Sequence, residues 1–132
     1  MKLATYSRQS RQQLALYIDG RLYDANSADN RLPATMMELL QDWDNLSGYA
    51  REAEAKIREG KIMQETGIPY DEACLMAPVP NPASCRDGYA FRQHVAAARR
   101  NRRVDMIPEF DQYPIFYFTN HNAIQGPGDI LC

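Results

Sequence analysis

The dipeptide Asp19-Gly20 stands between two β-prone runs, Leu14-Ala15-Leu16-Tyr17-Ile18 and Arg21-Leu22-Tyr23. The commonest two-residue hairpin turn for Asp-Gly, type I′, takes two successive positive φ angles, which Gly adopts freely and Asp tolerates, and its twist matches that of the strands it joins. The pair therefore commits the start of the chain to antiparallel pairing. A further β-prone run, Lys2-Leu3-Ala4-Thr5-Tyr6, completes a small antiparallel sheet.

What else the chain can build is bounded by its size. Its 132 residues, 45% hydrophobic and 24% charged, fall in the ordinary range for a globular domain. A chain of this length buries roughly two-thirds of its unfolded surface, enough for a core without metal or disulfide staples. A net charge of -2 excludes a surface that is an anion trap throughout. Cys74, Cys85 and Cys132 make an odd count without C-x-x-C spacing, which argues against zinc and against a disulfide framework. The opening MKLATYSRQSRQQ has no apolar signal-peptide region, and no apolar run approaches the roughly 20 residues of a membrane span. A cytoplasmic protein without membrane partners is expected.

Beyond the sheet, Thr35-Met36-Met37-Glu38 has the capping-box pattern. It predicts a short helix with Met36, Met37, Leu39, Leu40 and Trp43 on its apolar face. Ser47 is expected to cap a second helix over about 48–62, with Tyr49, Ala53, Ile57 and Lys61 on one side. Pro69, Pro78, Pro80 and Pro82 mark residues 67–87 as extended chain, with one strand at Cys74-Leu75-Met76-Ala77. Residues 87–103 read as a third helix with Asp87 as N-cap, residues 114–119 as a strand, and Gly126-Pro127-Gly128 as a turn. Asp129-Ile130-Leu131-Cys132 reads as the opening of another strand, so the chain is expected to be cut short and to need a companion. Met36, Met37, Met63, Met76 and Met106 are expected to fill core space.

Chemistry concentrates in Arg86-Asp87-Gly88-Tyr89-Ala90-Phe91-Arg92-Gln93-His94. On one helix, Asp87 and His94 are almost two turns apart and share a side. A carboxylate suited to a hard divalent cation and an imidazole suited to proton transfer would then face one pocket. The same spacing is met by an N-cap Asp, a core Tyr and a surface His. The arginines at 92, 99, 100, 102 and 103 lack interleaved aromatics, so a solvated or substrate-facing helix is expected and no nucleic-acid partner.

Leu75-Met76-Ala77-Pro78-Val79-Pro80, followed by Asp87 and, seven residues on, His94, resembles the fumarylacetoacetate hydrolase family, with its "L-x-A-P-x-P" segment. Pro114-Ile115-Phe116-Tyr117-Phe118 and Ile124-Gln125-Gly126-Pro127-Gly128-Asp129 resemble that family's next elements in order and spacing. The resemblance implies an α+β fold: a small β-rich N-terminal domain with helices over 1–70, then over 71–132 the beginning of a mixed β-roll catalytic domain. It implies a metal-dependent hydrolase that cleaves carbon–carbon bonds of 1,3-diketone or acylpyruvate-type oxo-acids. Asp87 then matches a metal-ligand carboxylate, His94 the water-activating histidine, and Tyr89 and Arg103 substrate contacts. Mg²⁺ or Ca²⁺ is implied in the complete enzyme and none for this chain alone, because the family's Glu-x-Glu pair and later Asp belong downstream of the Gly-Pro-x-Asp turn. A complementary C-terminal half or second subunit, and a homo-oligomer, are the implied partners. Asn120-His121 stands where many relatives carry Lys. The alternative is a catalytically inactive binding or scaffolding module of the same fold.

Overall fold

The structure is a computed structural model that describes residues 1–128. The chain divides into two compact units, one formed by Met1–Asn81 together with the chain from Ile124 on, the other by Pro82–Ala123.

The first unit is built on an antiparallel sheet in the order β1 (Leu3–Arg8), β2 (Arg11–Ile18), β3 (Arg21–Asp24) and β4 (Ile68–Pro69). Asp19 and Gly20 form the expected turn with φ of 48° and 81°. A second two-residue turn, Gln9-Ser10 with φ of 51° and 61°, joins β1 to β2. Strand alternation divides β2 between two apolar clusters. Leu14, Leu16 and Ile18 face the main core with Leu32, Leu39 and Ile57, whereas Ala15 joins Tyr6 and Leu22 on the other side. Both faces are covered, which is why the run Leu14 to Ile18 is apolar without a break.

After the short α1 (Ala25–Ala28), α2 (Met36–Gln41) opens with the expected capping box. The Glu38 N–H donates to Thr35 Oγ1 at 3.3 Å, and the Thr35 N–H donates to Glu38 Oε2 at 3.1 Å. The second helix departs from expectation. It is α3 (Trp43–Arg58), and Ser47 lies inside it. The break falls at Asp42, whose φ and ψ of -125° and 39° leave the helical region. Leu46, Ala50, Ala53 and Ile57 form one continuous apolar stripe across Ser47, so packing carries the helix through a residue that would otherwise favour a cap. Gly60, at φ of 71°, follows the helix end, and Lys61 lies outside it, paired with Glu59. Leu40 and Trp43 are exposed, and Met63 is 69% exposed rather than core, while Met36 is buried.

Asp29 is the buried acid of this unit. Its carboxylate accepts from Arg31 Nε and Nη2 at 2.8 and 2.6 Å and from Lys56 Nζ at 3.3 Å. Arg31 also reaches Glu52 at 2.7 Å and stacks 3.9 Å from the Tyr49 ring centroid, tying the loop after α1 to α3. The expected strand at residues 74–77 is a single bridge among the described residues, Tyr6 to Leu75, flanked by the backbone bonds Ser7 N–H to Cys74 O and Met76 N–H to Thr5 O. Gly126 sits so close to that segment that a Cβ on it would lie 2.9 Å from Leu75 O.

The second unit contains β5 (Arg86–Gly88), α4 (Arg92–Asn101) and β6 (Phe116–Phe118), with β5 and β6 antiparallel. The expected helix over 87–103 is therefore shorter at its start, and Asp87 is a strand residue rather than an N-cap. Gly88 disfavours helix, and the β-prone Phe116-Tyr117-Phe118 offers residues 86–88 a ladder instead. Within this unit only Val95 is buried among the described residues. The expected strand over 114–119 is realised as β6 alone. The expected turn ends at Gly128, with φ of 82°. The expected strand opening at Asp129 to Cys132 lies outside the described residues.

Candidate functional site

Asp87 pairs in register with Tyr117 across the β5–β6 ladder and is exposed. Its side chain shares no helix face with His94, which stands in the first turn of α4, also exposed. Between them, Tyr89 leaves the strand with its N–H bonded to Ile115 O at 3.1 Å. Its ring, half-buried, is the hub of the unit. The His94 ring packs edge-on against it at 6.1 Å between centroids, Phe110 does so at 6.3 Å, and Tyr117 lies tilted at 5.8 Å.

The fold thus brings Tyr89 and His94 together through a strand-to-helix corner, not through helical periodicity. Tyr117 and Phe110 are members of this cluster that sequence reasoning missed. The available signal was alternation in Phe116-Tyr117-Phe118, which sends Tyr117 to the face opposite its two neighbours. On that other face, Arg86 lies over the rings of Phe116 and Phe118, at 5.6 and 5.2 Å from their centroids.

The start of α4 carries an exposed two-pronged ion pair, Arg92 Nε to Asp111 Oδ1 at 2.8 Å and Arg92 Nη2 to Asp111 Oδ2 at 3.2 Å. The guanidinium holds the Asp111 carboxyl below its ordinary range, and the carboxylate in turn raises Arg92. Arg103 lies past the helix end, at φ of 55°. With Arg99 and Arg100 it lines a shallow pocket of about 310 Å³, where Arg99 Nε donates to the Asp105 carbonyl. The arginines are thus grouped at the C-terminal end of α4, where the helix dipole favours cations.

A divalent cation of the hard class takes about six oxygen ligands. Among the described residues no three His, Cys, Asp or Glu side chains gather closely enough to hold a metal ion. The exposed carboxylate of Asp87 does not by itself fit one. No helix among the described residues is long and apolar enough to cross a membrane.

The family described as fumarylacetoacetase N-terminal domain 2 matches residues 1–81. No curated protein matches the chain. The match ends where the first compact unit gives way to the second, and the cluster around Tyr89 and His94 lies beyond it.

Proposed function

The chain belongs to the fumarylacetoacetase N-terminal domain family, and from that premise we propose that it is the N-terminal portion of a hydrolase cleaving carbon–carbon bonds of 1,3-diketone or acylpyruvate-type oxo-acids. The observation that carries the proposal further than the family is the edge-on packing of His94 on Tyr89. It sets an imidazole and a phenol side by side at the start of a helix that also carries the Arg92–Asp111 ion pair. In this reading His94 removes a proton from the attacking water, and the Tyr89 hydroxyl donates to a substrate oxygen. Arg103 lies at the opposite end of α4 from His94, in a pocket that holds neither His94 nor Tyr89, and the resemblance alone gives it the acid group of the substrate.

Asp87 contributes one carboxylate toward the Mg²⁺ or Ca²⁺ of a complete enzyme. In this reading the remaining ligands would come from a complementary C-terminal half or second subunit, which would also continue the β5–β6 pair into a mixed β-roll. Such a cation polarises the substrate's oxygens when it is bound.

Acylpyruvate hydrolysis, followed by loss of the enol absorbance, tests the reading in the chain together with the polypeptide that completes it. His94→Ala is expected to lower turnover by about 10²-fold or more, the usual scale for a general base. Full activity in that variant would overturn the assignment. The second reading, a binding module without chemistry, is favoured by the family match covering only the unit that lacks His94 and Tyr89. It predicts that no acylpyruvate is consumed by wild type or variant.

A further inference from the structure

A solvent-open groove of about 690 Å³ runs along the first unit beside the start of β1. Its volume falls within the roughly 300–1,000 Å³ of small-molecule sites. Lys2, Thr5, Tyr17, Tyr70, Leu75 and Pro78 are among the residues that line it. Its walls are already fixed from within. Thr5 is buried, with its hydroxyl donating to Pro78 O at 2.7 Å, and the Tyr17 and Tyr70 rings meet edge to face at 5.3 Å. Lys2 Nζ lies 5.4 Å from the centroid of the Tyr17 ring.

Charge decides what such a groove accepts. Among the described residues its lining holds one cation and no carboxylate, and Lys2 makes no ion pair. A ring face attracts an ammonium but leaves its charge unneutralised, so an arriving carboxylate completes the pair. The aromatic and aliphatic walls favour a planar apolar body over a second charged group.

We propose that this groove is a binding site for small arylalkanoates, with the ring against Tyr70 and Tyr17 and the carboxylate on Lys2. It is independent of the proposed hydrolysis and uses none of its residues.

The test is titration of the isotopically labelled full chain with 3-phenylpropionate, its uncharged amide, and acetate, read as amide shift changes. Saturable shifts at Thr5, Leu75 and Met76 are expected with 3-phenylpropionate, and weaker ones with the amide or acetate. Lys2→Met is expected to weaken the acid about fivefold, to the level of the amide, as befits one exposed charge pair. Lys2→Arg should retain most of the affinity. Tyr70→Ala should weaken acid and amide alike. Tyr70 is half-exposed and Lys2 lies on the surface, so both positions tolerate substitution, and the dispersion of the remaining resonances confirms the fold of each variant. The proposal is overturned by no saturable shift up to about 10 mM ligand, or by equal binding of acid and amide, or by a Lys2→Met variant that binds the acid as wild type does.

Discussion

Replacing Asp29 with Asn keeps the size of the side chain and removes the charge that Arg31 and Lys56 face. The side chain of Asp29 is 5% exposed, whereas those of its two partners are 42% and 43% exposed, so solvent screens part of the attraction. We expect a loss of about 1–2 kcal/mol, below the cost of breaking a wholly buried pair. Hydrogen bonds from Arg31, chiefly, hold the Asp29 carboxyl well below the usual carboxylate range, against the opposing effect of burial. A group whose pKa is depressed on folding contributes stability that is full above its unfolded value, near 4, and is lost as pH falls through the folded value. Thermal melts from about pH 7 down to pH 2 should therefore show Asp29→Asn destabilised at neutral pH and converging on wild type in acid. Curves that stay parallel throughout would remove Asp29 from the acid response. None of this was legible in advance. An Asp two residues before an Arg in a loop is unremarkable until α3 brings Lys56 and Glu52 to the same place.

At the scale of elements, the two hairpin turns are alike in backbone and unlike in sequence. Asp19-Gly20 announces itself because both residue types accept positive φ, whereas Gln9-Ser10 occupies the same region with residues that do not favour it. Ser10→Gly should therefore stabilise the sheet by about 0.5–1 kcal/mol, seen as a shift of the chemical-denaturation midpoint at unchanged slope. A lower midpoint would mean that Ser10 does more than turn the chain. The same contrast explains the helices. The capping box at Thr35 is a local device and was readable. The start of α3 depends on a stripe of packed residues, Leu46 to Ile57, and Ser47 misled because its cap propensity yields to that packing. In the candidate site, His94 lies on a helix as its local sequence implies, but its neighbour Tyr89 is set by the pairing of β5 with a strand nearly thirty residues away. No local pattern encodes such a pairing, and helical spacing alone puts Asp87 in the wrong element.

Across the whole molecule, burial is unevenly shared. The first unit owns the two apolar clusters, and the second has Val95 alone fully buried among its described residues, with Phe91 and Phe118 exposed at 81% and 74%. A two-stranded ribbon is marginal in water, and large exposed aromatics mark surfaces that associate. Native-state hydrogen exchange should accordingly find the slowest amides in β1, β2 and α3, and those of β5 and β6 exchanging through local opening. Equal protection in both units would show that the second is held by contacts in solution, such as those of a complementary polypeptide or a second copy. The first unit is also discontinuous along the chain, since Ile124 onward returns to it and Gly126 is seated against Leu75 and Met76. The molecule can thus be shortened from its middle rather than from its end. A piece that stops at Asn81 forfeits the returning segment, whereas one that joins Asn81 to Ile124 through a linker of about ten residues keeps it. That piece also closes a loop of about a quarter the length, lowering the entropy lost on folding by roughly 1 kcal/mol.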